Sequence, residues 1–190
     1  MRARVLATGL FLGLLSAPLA AVAQNLGAPV VLSPYRSLHG ADNRARRLPH
    51  AGVDFGGQVG ASVLAAADGT VSRIIEWPMG CGLGLLLEHR RFKRWTASCH
   101  LQGVTVRQGQ SVSRGEQIGM VGTSGNAFNT PHVNLEVCTF ACNSHADGDL
   151  SGTEDPLEVA DGCFDAERAY PADRFVLTFP VACLPGAPAR

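Results

Sequence analysis

His50 and Asp54, His100, and His132 with Asn134 are the positions of this chain whose types and spacing could do chemistry together. Each sits in or beside a short apolar stretch: His50-Ala51-Gly52-Val53-Asp54-Phe55, Ser98-Cys99-His100-Leu101, and Pro131-His132-Val133-Asn134-Leu135-Glu136-Val137. Side chains alternate faces along a strand, so His50 should share a face with Asp54, and His132 with Asn134. Imidazole and carboxylate groups of this kind hold zinc, which in catalytic sites takes three protein ligands and keeps one position open for water. His50 and Asp54 can supply two ligands. Asn134 stands where a third would be, and His100 and His132 are left to handle protons. His39 and His89 fall outside the set and read as structural histidines.

The elements that must position these residues read as β throughout. Ala61–Ala67 and Val71–Trp77 flank Asp68-Gly69, a strong two-residue hairpin signal. Leu83–His89 and Phe92–His100 surround the polar turn Arg90-Arg91 and should pair antiparallel, which brings Cys81 close to Cys99. Cys99 should then face away from His100 and brace the hairpin without filling the site. Val104–Val121 offers two short strands broken by Gln108-Gly109 and Arg114-Gly115, and Gly119, Gly122 and Gly125 lead through a polar loop into Val133–Val137. No segment holds a helical period over several turns. Short strands with glycine-rich turns predict an all-β antiparallel domain.

Around that domain the chain changes character. Met1-Arg2-Ala3-Arg4, the apolar run from Val5 to about Ala20, and Ala21-Val22-Ala23 before Gln24 have the form of a cleaved secretory signal. Residues 24–48 read as an extended lead-in; its Arg36, Arg44 and Arg46, followed by Arg47, form either a solvated face or a contact for an anionic polymer. Residues 49–157 would be the β domain, with residues 138–155 as an acidic insertion, and residues 158–190 a tail with one strand candidate, Phe175–Phe179. Lys+Arg and Asp+Glu are 16 each, which excludes the basic balance of a nucleic-acid binder. No cysteine follows the cleavage site to carry a lipid, and no later segment is long and apolar enough to span a membrane. The six cysteines suit an oxidising compartment, periplasmic or extracellular. The sequence leaves their pairing open; the preferred set is Cys81–Cys99 from the hairpin, with Cys138–Cys142 and Cys163–Cys183 by proximity, the last stapling the tail.

Taken together, the three histidine motifs, with Ala65-Ala66-Ala67-Asp68-Gly69-Thr70-Val71 and Gly109–Gly122 in the same order, resemble the lysostaphin-type (LytM-domain) zinc metallopeptidases that cut peptidoglycan. The resemblance covers about His50 to Leu157. It implies an antiparallel β fold with a groove, and a zinc site with His50 and Asp54 as ligands. It further implies His100 and His132 as catalytic assistants, and peptidoglycan or its stem peptides as substrate. In such a site zinc lowers the pKa of a bound water from about 15.7 towards 7 and polarises the scissile carbonyl. The third family ligand would be a histidine where this chain has Asn134, whose amide oxygen is neutral and better suited to hard cations. Two functions from different classes follow: an exported cell-wall metalloendopeptidase, or a non-cutting module that binds peptidoglycan or regulates a cell-wall hydrolase. His145, in the insertion, is the candidate substitute ligand. The segment from Asp147 to Glu158 also follows the spacing of a calcium loop, with Asp147, Asp149, Ser151, Thr153, Asp155 and Glu158 as its oxygens.

Overall fold

The computed structural model describes residues 26–140, 142 and 150–185. The expected leader, His145, Asp147 and Asp149 lie outside them. Twelve strands run in chain order: β1 (Leu26–Gly27), β2 (Val31–Ser33), β3 (Gly52–Gly56), β4 (Ser62–Leu64), β5 (Gly69–Trp77), β6 (Gly82–His89), β7 (Arg94–Val104), β8 (Ser111–Val112), β9 (Gln117–Val121), β10 (His132–Cys138), β11 (Thr153–Glu154) and β12 (Leu184–Pro185). One 3-10 turn, Arg90–Phe92, joins β6 to β7, and no α-helix occurs among the described residues. The main sheet follows the order β2-β3-β10-β7-β6-β5-β8, with β11 against β10 and β4 and β9 attached beside β7; β1 and β12 form a separate pair.

Alternation within the central strands builds two different faces. Val53 and Phe55 of β3, Leu85 and Leu87 of β6, and Val133, Leu135 and Val137 of β10 point into one core with Leu101, Ile118 and Val121. The intervening residues Asp54, Ala97, Asn134 and Glu136 turn to the opposite face, where all but the wholly buried Asp54 line a groove. Polar residues at every second position of β10 therefore follow from the pleat: the strand is apolar where it meets the core and chemical where it meets the groove. Leu135 is 2% exposed beside Asn134, and removing such a side chain costs about 2–5 kcal/mol, so core packing holds the site in place.

Of the breaks in register, the one that bears on the groove falls at His100. Leu83 pairs with Leu101 but Leu85 pairs with Ser98, so two residues of β7 stand opposite the single Gly84 of β6. This is a β-bulge, and His100 takes φ +66° within it. The bulge turns both Cys99 and His100 towards the groove, which corrects the expectation that Cys99 faces away. A Cβ at Gly84 would collide with Ser98 O and Cys81 Sγ, so the position opposite the bulge has no room for a side chain.

Three further expectations are corrected. Asp68-Gly69 does not join a hairpin, because β4 pairs with β9 and β5 with β6 and β8. The residues before the turn commit their backbone elsewhere: Ala65 N–H donates to Glu116 O, and Ala66 O accepts from Thr178 N–H. Phe175–Phe179 is not a strand; Leu177 forms an isolated bridge to Ala160. Neither this segment nor the stretch just beyond it is peripheral, since Leu177 and Val181 belong to the main core and Phe179 packs on Phe55. The calcium loop does not assemble in its described part. Thr153 and Glu154 form β11, the Thr153 hydroxyl is engaged with Tyr35 and Leu150 O, and Asp155 Oδ1 caps Leu157 N–H.

Disulfides close Cys81–Cys99, Cys138–Cys142 and Cys163–Cys183. The first ties the β5–β6 turn to the bulge, where Cys81 O also accepts from His100 N–H.

Candidate active site

The groove has a volume of about 1230 Å³. The sheet face forms its floor, the loop from Gly40 to Ala51 one wall, and the turn Trp77–Cys81 with residues 126–128 another. The two parts of the second wall are locked together: Asn126 N–H donates to Gly80 O, and Gly82 and Gly125, both at positive φ, lie too close for any side chain.

His50, Asp54, His132 and Asn134 meet on the floor because β3 and β10 are paired in register, with Asn134 opposite Asp54. All four are almost wholly buried, as is His100. The ring of His50 has a defined tautomer. Ser33 Oγ donates its proton to His39 O, and it lies 3.2 Å from His50 Nδ1, while Pro34 O lies 3.3 Å away. Both neighbours can only accept, so Nδ1 carries a proton, and in the neutral ring Nε2 presents its lone pair. His100 Nδ1–H likewise donates to Ser124 O and His132 Nδ1–H to Thr130 O, at 2.9 and 2.7 Å. Their rings lie 4.7 Å apart.

Asn134 closes the centre. Its Nδ2 contacts His50 Nε2 and donates to Asp54 Oδ1 at 3.0 Å, while those two acceptors are 3.2 Å apart. Beside the neutral His50 ring, reversing the amide would set its oxygen against two acceptors, so the NH2 group faces them. The carbonyl Oδ1 is consequently buried without a hydrogen-bond partner. The other carboxylate oxygen, Asp54 Oδ2, accepts from Arg46 Nη2 at 2.8 Å, and His132 Nε2 lies 3.5 Å from Oδ1. Burial alone would raise the pKa of Asp54. The hydrogen bond and charge that His50 supplies once its ring is protonated, then the charges of His132 and Arg46, outweigh it and hold the carboxyl at about 2. His100 is pushed down to about 4, first by burial and then by the neighbouring His132.

His50 Nε2 and Asp54 Oδ1 could each donate a lone pair to a metal. The third position turns N–H groups towards them, and the amide's only lone pairs, on Oδ1, belong to a neutral oxygen that is a weaker donor to zinc than imidazole. Arg46 already neutralises the carboxylate that a cation would need. The residues present therefore do not fit a catalytic zinc, which requires three protein donors. A second cluster of ligand types, Glu136 with Cys138 and Cys142, is no better suited, because its two cysteines are joined in a disulfide.

Arg46 and Ser33 are the residues that the sequence motifs do not reveal. Arg46 lies among arginines with the pattern of a solvated face, and nothing local distinguishes it from Arg44 or Arg47. His89, outside the groove, is buried between Asp68 O and Thr96 Oγ1, a structural role. His39 contributes its carbonyl to Ser33 and Arg46 from an exposed loop.

Residues 48–146 match the model of peptidase family M23, just over half of the chain. The chain belongs to that family. Among curated proteins it is 36% identical over 106 residues to an uncharacterized metalloprotease of Haemophilus influenzae, covering 56% of this chain and 22% of that protein. It is 36% identical over 92 residues to peptidoglycan DD-endopeptidase ShyB of Vibrio cholerae, covering 48% of this chain and 21% of the relative. The chain thus spans about a fifth of the length of these relatives. The catalytic domain of lysostaphin from Staphylococcus simulans superposes with a TM-score of 0.53 at 22% identity, over 70% of this chain and 91% of that one. LytU superposes equally well, with a TM-score of 0.53 at 22% identity, over 68% of this chain and 82% of its own. Both share the fold.

Proposed function

We propose that this chain is an exported, peptidoglycan-directed member of family M23 whose groove binds wall peptides without cutting them. The observation that carries the reading is the Asn134 amide, which offers hydrogens to His50 and Asp54 where a metal centre needs a third lone pair. Support for the ligand class comes from the named relatives, which include peptidoglycan endopeptidases, and from the groove itself. Trp77, Met79 and Phe128 are exposed along one wall, and the other carries Arg47 and Arg44, the latter paired with Asp42 and lying over the Phe128 ring. Apolar surface to cover and cationic groups to meet carboxylates are what a wall stem peptide requires. Export is supported by the leader-like pattern of residues 1–23 and by three disulfides, which persist in oxidising compartments.

A specific feature favours a hydrolytic reading instead: His100 and His132 both fix Nδ1–H on a backbone carbonyl. Such orientation suits proton transfer, but it suits hydrogen bonding to a bound peptide equally well. The two readings separate in one assay with purified cross-linked peptidoglycan. Co-sedimentation without release of soluble peptide fragments, with or without added zinc, is expected. Fragments that appear with zinc and vanish with chelator would establish the hydrolase.

A further inference from the structure

Arg46 reaches Asp54 from outside the sheet, on a loop built to hold it. The His39–Ala45 bridge closes this loop, Gly40 N–H donates to Arg44 O, and Asn43 takes φ +64° at its turn. Arg46 N–H donates to Leu38 O at 2.7 Å, and its Nε lies 3.3 Å from His39 O as a donor. That same carbonyl accepts the Ser33 hydroxyl, whose oxygen faces His50 Nδ1. One carbonyl therefore couples the loop to both groups of the centre: to Asp54 through Arg46, and to His50 through Ser33.

The carboxylate of Asp54 is completely buried, and a buried carboxylate needs a cation or a proton. The imidazoles around it are cationic only when protonated, whereas a guanidinium is cationic at every pH at which the protein folds. We propose that Arg46 is the built-in counter-cation of this site. With Asn134 it does the holding that a metal ion would otherwise do, so that two residues, and not Asn134 alone, bar zinc. The proposal rests on the metal-free reading above. Arg46 is a positioning residue in this scheme, acting through Asp54. A dication placed on Asp54 Oδ1 would sit beside the guanidinium on Oδ2, so restoring the third ligand leaves a like charge in the way.

The test uses the full mature protein as wild type, Asn134→His, Arg46→Met, Arg46→Lys and the double variant Asn134→His/Arg46→Met. Zinc affinity is read by calorimetry, and melting temperature with zinc and with chelator. Arg46→Met should lower the melting temperature by roughly 10 °C, zinc should not restore it, and Arg46→Lys should recover more than half of the loss. The double variant should bind zinc at least about tenfold more tightly than Asn134→His, and zinc should restore its melting temperature. If Arg46→Met is recovered only as aggregate, Arg46→Gln, which keeps a donor for Asp54 without the charge, takes its place and should give the same tenfold gain. Equal zinc affinity in Asn134→His and the double variant overturns the proposal, as does a wild-type melting temperature for Arg46→Met. Either result leaves the metal-free reading standing. Stoichiometric zinc in the wild type removes that reading itself, whatever Arg46 does.

Discussion

Asn134 and Asp54 face each other across β3 and β10, and the chemistry of the groove turns on that contact. Exchanging Asn134 for histidine replaces two hydrogens with a ring nitrogen, so Asn134→His should bind zinc at least an order of magnitude more tightly than wild type, read by calorimetry. Equal affinity would mean that Asn134 is no obstacle. His100 gives a second prediction. Its folded pKa of about 4 lies below the 6.5 of an ordinary histidine. Between those values the unfolded chain takes a proton that the folded chain refuses, so stability is full above pH 6.5 and declines as pH falls towards 4, by up to roughly 3 kcal/mol. Asp54, held at about 2 against 3.8 unfolded, stabilises the fold above pH 3.8 and loses that contribution as pH falls towards 2. Melting temperature should therefore fall steadily on acidification from pH 6.5. His100→Asn, with a residue that tolerates φ +66°, should flatten the decline without abolishing it, because burial depresses His89 in the same direction. An unchanged slope in that variant would exclude His100 as its source.

At the scale of elements, the β6–β7 hairpin carries the bulge, the Cys81–Cys99 disulfide and His100. Replacing both cysteines with serine should cost about 3 kcal/mol, by the loop-closure entropy of a bridge spanning some 18 residues. The same change should free the bulge, so a loss of melting temperature of several degrees, with His100 signals broadened by NMR, is expected. An unaltered His100 environment would show that packing alone sets it. The hairpin is legible in the sequence because its apolar stretches are adjacent and its turn short. The bulge is not, since one extra residue in a ladder leaves no compositional trace, and the facing of Cys99 departs from expectation for that reason. Asp68-Gly69 misleads in the opposite way. Its dipeptide is a genuine turn signal, but the preceding segment finds Glu116 and Thr178, which are distant in the chain, more favourable partners than its neighbour. Local rules rank turns; they do not rank long-range pairings.

For the whole molecule, the β class and the convergence of the three motifs are readable, because strand periodicity and motif order survive without knowledge of contacts. The role of the last segment is not. Val176, Leu177 and Val181 are buried, yet they occur among prolines and polar residues with no period to declare it. A chain ending at Leu157 should accordingly lose core packing and be recovered unfolded or as aggregate, read by circular dichroism and gel filtration; a folded, soluble product would show the segment to be dispensable. Arg46 is equally hidden, since its partner is set by how the lead-in loop crosses the groove. Whether this M23 groove is held together without a metal is decided most directly by the zinc content of the wild-type protein. The protein is prepared without chelator, incubated with excess zinc, dialysed and measured by mass spectrometry. Far less than one zinc per chain is expected; one tightly held zinc per chain would contradict a metal-free centre.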